Sequence, residues 1–184
     1  MIATDHLLVG SAMALAMSKK DHGLVTFVLA GLTQHALLDF IPHFDPSNLG
    51  SNYLEFGTPA FWFATGDNVL GFGLVGLLMI LIPRLRRAGP ILLTFSAWFP
   101  DLYSTWVWKG WLTANPFMVL HQAHIWFHSW WRTWYGEYSP SPNAMLFGIL
   151  TSLVAFALAC WYIYSTIRAT WPVRDNACLP AELA

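Results

Sequence analysis

The sequence predicts an all-α fold: a polytopic membrane helical bundle with four or five spans and an interfacial amphipathic helix. Two features of composition and one of pattern support this prediction. Of the 184 residues, 56% are hydrophobic and only 10% are charged, with eleven tryptophans and thirteen phenylalanines. A soluble domain carries about 25% charged residues, so a large soluble core does not explain the deficit. Several apolar runs are also long enough to cross a bilayer.

Five apolar segments predict the helices of the bundle. They are residues 5–18, 23–41, 68–83, 90–108 and 144–167. The first is short for a span and opens with Thr4 or Asp5, either of which suits a helix N-cap. Pro42 ends the second segment, Pro83 ends the third, and Pro90 opens the fourth in the first-turn position that proline favours. The fifth is uninterrupted and is the clearest transmembrane helix.

Two long polar and aromatic regions separate these segments. Residues 42–67 are rich in Pro, Gly, Ser and Asn, which predicts a loop, with Asp67 interpreted as a turn former. Residues 110–142 contain PFMVLHQAHIWFHSWWRTW, which is typical of an amphipathic helix at a membrane interface. Because no internal repeat is present, we expect one membrane-embedded helical domain over residues 1–172. Residues 173–184 are expected to form a polar cytoplasmic tail.

The distribution of basic residues predicts the orientation. If the segments alternate in direction, one side of the membrane receives seven of the nine Lys and Arg residues. The positive-inside rule places that side in the cytoplasm, which makes the N-terminus extracytoplasmic and the C-terminus cytoplasmic. We expect an integral protein of a bacterial inner membrane whose partner is the lipid bilayer. The formal net charge of −1 indicates no nucleic-acid surface, and the oligomeric state stays open.

The second segment and the residues after it carry an unusual density of ionisable groups. They are His35, Asp39, His43 and Asp45, all within eleven positions. Buried ionisable groups are costly unless they are paired or bound to a metal. His35 and Asp39 are spaced i, i+4, so they share one helical face and could bind one divalent cation, or form a hydrogen-bonded pair between helices. After Pro42 turns the chain, His43 and Asp45 could fold back over that face.

A second group of histidines lies in the amphipathic region. His121, His124 and His128 are spaced i, i+3, i+7 and form one helical stripe, which suits metal ligands or a pH-sensitive interfacial belt. Asp101 is a lone carboxylate in an apolar helix and needs a partner, and His6 starts the first helix. Six of the seven histidines and the buried carboxylates share the extracytoplasmic half. A His/Asp set without thiolates suits zinc, manganese or iron, with zinc favoured for hydrolysis.

Four short motifs together touch most of the chain: TDHLLVG, GLTQHALLDFIPH, FPD and HQAHIWFHS. They resemble, in turn, the early histidine, the HxxxD helix, the Pro-Asp motif and the paired histidines of the YdjM-like membrane-bound metal-dependent hydrolases. That family is similar in motif to zinc-dependent phospholipases C and single-strand-specific nucleases. The resemblance implies an all-helical fold, a metal cluster and phosphoester hydrolysis. The metal ligands it implies are His6, His35, Asp39, Asp101, His124 and His128, with His43, His121 and Asp45 as second candidates.

The sequence therefore predicts a metal-dependent hydrolase of a phosphoester, with a phospholipid-like headgroup as the candidate substrate. Asp39 and Asp101 are the candidate catalytic residues, either as metal ligands or by orienting the nucleophile. Two other functions fit the same residues. One is a membrane haem or electron-transfer subunit with two axial histidines, His35 with His124 or His128. The other is a small proton-coupled transporter with an intramembrane Asp/His relay. A purely structural metal is a further alternative.

Overall fold

The observed helices agree with the predicted all-α class. A computed structural model describes residues 3–44, 49, 54–135 and 142–170, and within them all side chains except those of 108, 115, 117, 128–135 and 170. The helices are α1 (Ala3–Met17), α2 (Leu24–Phe40), α3 (Pro59–Leu81), α4 (Ala88–Trp108), α5 (Asn115–Tyr135) and α6 (Pro142–Thr170), with a short 3-10 helix at Pro83–Arg86. The described ranges contain no β-strand. The predicted tail, 173–184, lies outside the described residues.

Helix α1 is the centre of the bundle. Eleven of its fifteen residues are buried, and it contacts α2, α3, α4 and α6. A helix surrounded on all sides is expected to be apolar all round. The first turn of α1 departs from that rule, because Thr4, Asp5 and His6 are each at most 2% exposed. The fold therefore carries a polar turn, including His6, into the interior.

The N-terminus of α1 is capped from another helix. Asp67 in α3 accepts hydrogen bonds from the backbone N–H groups of Ala3 and Thr4, and Thr4 Oγ1 donates to the Asp67 carbonyl at 2.9 Å. Buried N–H groups at a helix start need acceptors, and a carboxylate also favours the positive end of the helix dipole. The prediction that Thr4 or Asp5 caps α1 is therefore wrong, since both lie within the helix, and Asp67 is not a turn former.

Helix α3 begins nine residues before the predicted third segment, so residues 59–67 are helix rather than loop. Thr58 caps this helix, since its Oγ1 accepts from the Phe61 N–H at 3.1 Å, and Pro59 occupies the first turn. A Thr-Pro pair is a helix-start signal, and here it outweighs the Gly and Asp content that predicted a loop. The other predicted boundaries agree with the helices to within three residues.

Helices α3 and α6 are long and apolar enough to cross a membrane. Their most apolar stretches are only 17% and 22% buried, whereas the core helix of a soluble protein is mostly buried. Their exposed side chains include Val69, Ile80, Leu158 and Trp161. Among the described residues these two helices are the candidate spans by length and composition, and α1 and α2 are shorter apolar helices.

Helices α2 and α4 approach each other closely at Gly31. A Cβ atom at this position would lie 2.8 Å from Ser96 Cβ and 3.0 Å from the Ala97 backbone nitrogen. Small residues at helix interfaces of membrane proteins permit such close backbone contact. His35 lies one turn further along α2 and contacts Ala97, so this approach fixes the distance between two helices that carry predicted site residues.

We expect the Gly31→Ala substitution to destabilise the protein by about 1–3 kcal/mol, because the added methyl group meets backbone atoms that cannot move alone. For a chain of this length each kcal/mol lowers the thermal midpoint by about 2–4 °C. Thermal unfolding in detergent, followed by circular dichroism, measures the effect. Gly76→Ala in α3 is the matched control, because nothing lies within 4 Å of its added methyl group. Equal midpoints for the two variants would contradict the importance of close packing at Gly31.

Candidate metal centre

Five predicted site residues converge at one end of the bundle, and they come from four helices. They are His6 of α1, His35 and Asp39 of α2, Asp101 of α4 and His124 of α5. The i, i+4 spacing on α2 brings His35 Nε2 to 2.8 Å from Asp39 Oδ2, as the sequence pattern predicted. The wide separation of these residues along the chain makes the convergence a property of the fold.

Four of these residues surround a common point. His35 Nε2 lies 2.8 Å from Asp39 Oδ2 and 3.9 Å from Asp101 Oδ1. His124 Nε2 lies 3.1 Å and 3.4 Å from the same two oxygens, and 3.2 Å from His35 Nε2. Donors at the corners of a tetrahedron around an ion with bonds of about 2.0–2.1 Å are about 3.3 Å apart. The observed separations scatter around that value, so the group could hold a metal ion.

The tautomer of His35 suits a metal ligand. Its Nδ1 lies 2.8 Å from the Ala97 carbonyl oxygen, which can only accept a hydrogen bond, so Nδ1 carries the proton. In a neutral imidazole Nε2 is then unprotonated and its lone pair points towards Asp39 and His124. Metal-binding histidines almost always orient their second ring nitrogen in this way.

Burial and charge at the site also favour a cation. The Asp39 side chain is 0% exposed and the His35 side chain 3%, whereas the Asp101 side chain is 30% exposed. Two carboxylates this close carry negative charge, and removing carboxylates from water is costly without compensating positive charge, from a metal ion or from a protonated histidine. The exposed edge of Asp101 is the side from which solvent or a ligand can reach the group.

His6 contacts the other oxygen of each of the same two carboxylates. Its Nε2 lies 3.2 Å from Asp39 Oδ1 and 3.7 Å from Asp101 Oδ2, and its ring stacks on His35 with centroids 4.3 Å apart. The side chain is fully buried, and its Nδ1 has no hydrogen-bond partner among the described residues. A buried polar atom without such a partner is costly, which is consistent with a role in binding.

His121 supports the site without joining the group. Its Nδ1 lies 2.6 Å from Ser104 Oγ, one turn along each helix from the contact between His124 and Asp101. Burial lowers the pKa of His121, and the neighbouring His124 lowers it further, so a neutral ring is favoured. The Ser104–His121 bond therefore helps to fix α5 against α4.

Three other candidate residues have different outcomes. His43 is buried, but its Nδ1 lies 2.7 Å from the Ile41 carbonyl oxygen, and the backbone beside it packs on α6, where the Phe44 N–H donates to the Gly148 carbonyl. His43 is not a member of the metal-binding group found among the described residues. Asp45 and the side chain of His128 lie outside the described residues.

Two contacts that hold the site have no signature in the sequence patterns. The Ala97 carbonyl oxygen orients His35, and a backbone group is invisible to residue-type reasoning. Asp67 holds the start of α1, and thereby His6, from a helix more than sixty residues away. In the sequence, Asp67 is a single acidic residue next to an apolar run, and its immediate neighbours led to its interpretation as a turn former.

No family model, curated protein or solved structure matches this chain. The resemblance to the YdjM-like hydrolases therefore stays an expectation, and the geometry of the site is the basis for a functional assignment.

We expect His35→Ala and Asp39→Ala to lose most of their bound divalent metal, because each removes a donor from the group of four. The measurement is elemental analysis of protein purified in detergent, expressed as metal per chain. His22→Ala is the control, because His22 is exposed beyond the opposite end of α1. Wild-type metal content in both site variants would reject the metal centre.

Proposed function

We propose that this protein is an integral membrane, metal-dependent hydrolase that cleaves phosphoesters, with a lipid headgroup as the favoured substrate. The observation that carries the proposal is the convergence of His35, Asp39, Asp101 and His124, donors from three helices, around one point. Zinc is the favoured ion because the donor set is imidazole and carboxylate without thiolate.

The protein groups have distinct roles in this proposal. A divalent cation at such a site supplies a nucleophile at neutral pH and offsets negative charge that develops on phosphoryl oxygens. Asp39, which is fully buried, holds the ion and fixes the two histidines on either side of it. Asp101 is partly exposed, so it is the carboxylate best placed to orient a nucleophile entering from outside.

The position of the site supports an extracytoplasmic active centre. His6 lies in the first turn of α1, whereas the exposed Lys19 and Lys20 follow its last turn. Asp101 lies about 20 Å along α4 from its start, at about 1.5 Å per residue, and the exposed Arg86 and Arg87 precede that start. The site and the basic residues are therefore at opposite ends of the helices, and the positive-inside rule assigns the basic end to the cytoplasm.

We propose five spans, α1, α2, α3, α4 and α6, with α5 lying at the interface. Helix α1 is about 22 Å long, shorter than the hydrocarbon core of about 30 Å. Because other helices surround α1, its ends do not need to reach the headgroups on their own. Helix α5 exposes Val119, Leu120 and Trp126, which suits contact with the outer lipid surface of a bacterial inner membrane.

The geometry favours this proposal over a haem protein. Two nitrogens on opposite sides of a haem iron are separated by about 4 Å, twice a bond of about 2 Å. His35 Nε2 and His124 Nε2 are only 3.2 Å apart, and both lie beside Asp39 Oδ2. Carboxylates between the histidines serve a hard divalent cation and have no role in axial haem ligation.

Headgroup release from phospholipid in mixed micelles tests the proposal. Metal-loaded wild-type protein is expected to release phosphorylated or free headgroup. Substitution of a residue that only hydrogen-bonds to a metal ligand already lowers activity about 10–100-fold, so Asp101→Asn is expected to lower the rate at least about 100-fold. Asp21→Asn is the matched control, because Asp21 is exposed at the basic end.

A water-soluble phosphodiester in a parallel assay separates the two substrate classes. Turnover of the soluble ester alone would retain the hydrolase and reject the lipid. Absence of turnover with both substrates, in protein that holds its metal, would reject the hydrolase and leave a structural metal.

A further inference from the structure

Helix α1 is covered by other helices on every face but one. Eleven of its fifteen residues are buried, and the others are Val9, Met13, Ala16 and Met17. Val9, Met13 and Ala16 are spaced i, i+4, i+7 and therefore share one face. They form part of the floor of a groove of about 720 Å³ between α2 and α6, which both pack on α1 and hardly contact each other. The centre of the bundle is therefore open to its surroundings along this groove.

The groove is apolar along its length. Among the described residues that line it, only Thr151 and Tyr162 carry a hydroxyl group, and they lie towards opposite ends. The floor is wide because small side chains from α1 and α6 meet there: Ala12, Ala16, Ala155 and Ala159. Ligand pockets have volumes of about 300–1,000 Å³ and place a few polar groups to hold a polar ligand. This groove has the volume without a cluster of such groups, so it suits a hydrocarbon chain.

The end of the groove nearest the metal centre is closed by the chain itself. Residues 42–44 cross from α2 to α6, where the Thr151 hydroxyl donates to the Pro42 carbonyl oxygen. The Phe44 N–H donates to the Gly148 carbonyl oxygen at the same crossing. A Cβ atom at Gly148 would lie only 2.9 Å from the Phe44 nitrogen, so the crossing is tight. A long molecule therefore enters the groove from the opposite end.

The opposite end of the groove carries positive charge. Tyr162 lines the groove there, and the Nζ atom of Lys19 lies 6.0 Å from the centre of its ring. Lys19 and the adjacent Lys20 are both exposed. The described residues at this end of the bundle also include the exposed Arg84, Arg87 and Arg168, and the one acidic residue among them is Asp21. Basic residues beside an apolar groove at the cytoplasmic face suit an anionic lipid headgroup.

The length of the groove suits an acyl chain. Phe147 and Tyr162 both line it and are fifteen positions apart on α6, which is about 22 Å at about 1.5 Å per residue. One leaflet contributes about 15 Å of hydrocarbon, half of a core of about 30 Å. A lipid whose headgroup lies at the basic end can therefore place a whole acyl chain along α1.

We propose that this groove binds an anionic phospholipid of the cytoplasmic leaflet, with an acyl chain along α1 and the phosphate beside Lys19 and Lys20. The inference uses the membrane orientation of the proposed function, but the residues that line the groove are separate from the metal-binding group. The acyl chain covers the open face of α1 and joins α2 to α6. Because the phosphate lies at the basic end, this lipid stabilises the bundle and is not the substrate of the metal centre.

Native mass spectrometry of the detergent-purified, delipidated protein is the first test. The probes are a phosphatidylglycerol and a phosphatidylcholine with identical acyl chains. We expect one phosphatidylglycerol per chain, bound at least about tenfold more tightly than phosphatidylcholine, since each lysine beside an anionic headgroup contributes roughly a factor of five. Equal affinities in the wild type would overturn the proposal. A lipid-free dimer would assign the groove to a second copy of the chain and would also overturn it.

Two sets of variants locate the lipid. Ala155→Trp fills the groove and should abolish binding, whereas Ala157→Trp is the matched control, because Ala157 is exposed on the same helix and does not line the groove. Replacing Lys19 and Lys20 together by Gln should remove the preference for phosphatidylglycerol, and Lys109→Gln, exposed at the other end, should keep it. Unchanged binding in Ala155→Trp, or an unchanged preference in the lysine variant, would overturn the proposal. Metal content measured on the same samples should equal that of the wild type, so failure of the metal centre is detected separately.

A photoreactive lipid tests the direction of the chain without a variant. The probe is a phosphatidylglycerol with a diazirine at the end of one acyl chain, and mass spectrometry of peptides identifies the labelled residues. Because the chain runs from the basic end, we expect labelling at the closed end, near Leu38, Ile41 and Phe147. Labelling near Ala16 and Tyr162 would place the headgroup at the metal-centre end and overturn the proposal. Labelling spread over the exposed faces of α3 and α6 would indicate ordinary bilayer contact and also overturn it.

Discussion

The constraint on which the rest of this structure depends is the clustering of two carboxylates, one fully buried and one partly exposed, among histidines at one end of the bundle. Asp39 is fully buried, and Asp101 is within 3.9 Å of three imidazole nitrogens. Charges of one sign cannot share a region of low dielectric constant without a counter-charge, and neutral histidines provide none. The two carboxylates therefore require positive charge at this point, which either a metal ion or a protonated histidine would supply. With a metal ion in that role, as we propose, metal binding and folding would be linked.

The same site explains why the central helix is polar where a buried helix is usually apolar. Helix α1 contributes His6, and the Asp67 carboxylate accepts hydrogen bonds from the N–H groups of Ala3 and Thr4 in its first turn. Glycines then set how closely the neighbours pack: a Cβ at Gly10 would lie 3.0 Å from Ala97 Cβ, in the same part of α4 that Gly31 approaches. Ala97 also orients His35 through its carbonyl group. The close packing at Gly10 and Gly31 and the orientation of His35 therefore depend on the same part of α4.

Five of the residues that the sequence analysis proposed as ligands lie together in the structure, but their mutual contacts were not predicted. Spacing alone put His35 and Asp39 on one face, because i, i+4 geometry is local and holds in any helix. The sequence left His43 as a second candidate ligand, because the path of the chain after a helix-ending proline depends on tertiary contacts, here with α6. The role of Asp67 was missed for the same reason. The sequence cannot predict which carboxylate oxygen faces which histidine, because these contacts depend on the relative positions of four helices.

Helix α5 shows how the site connects the bundle to its surroundings. It packs against α2 and α4, and its described polar contacts with them are made by His121 and His124. Much of its apolar surface is exposed, including Met118, Ile125 and Trp126. Over the part of α5 whose side chains the structure describes, the contacts of His124 with the carboxylates therefore contribute more to its attachment than apolar burial does. An ion shared by His124, Asp39 and Asp101 would fasten α5 to α2 and α4, so the geometry of the centre and the position of α5 against the bundle could not change independently.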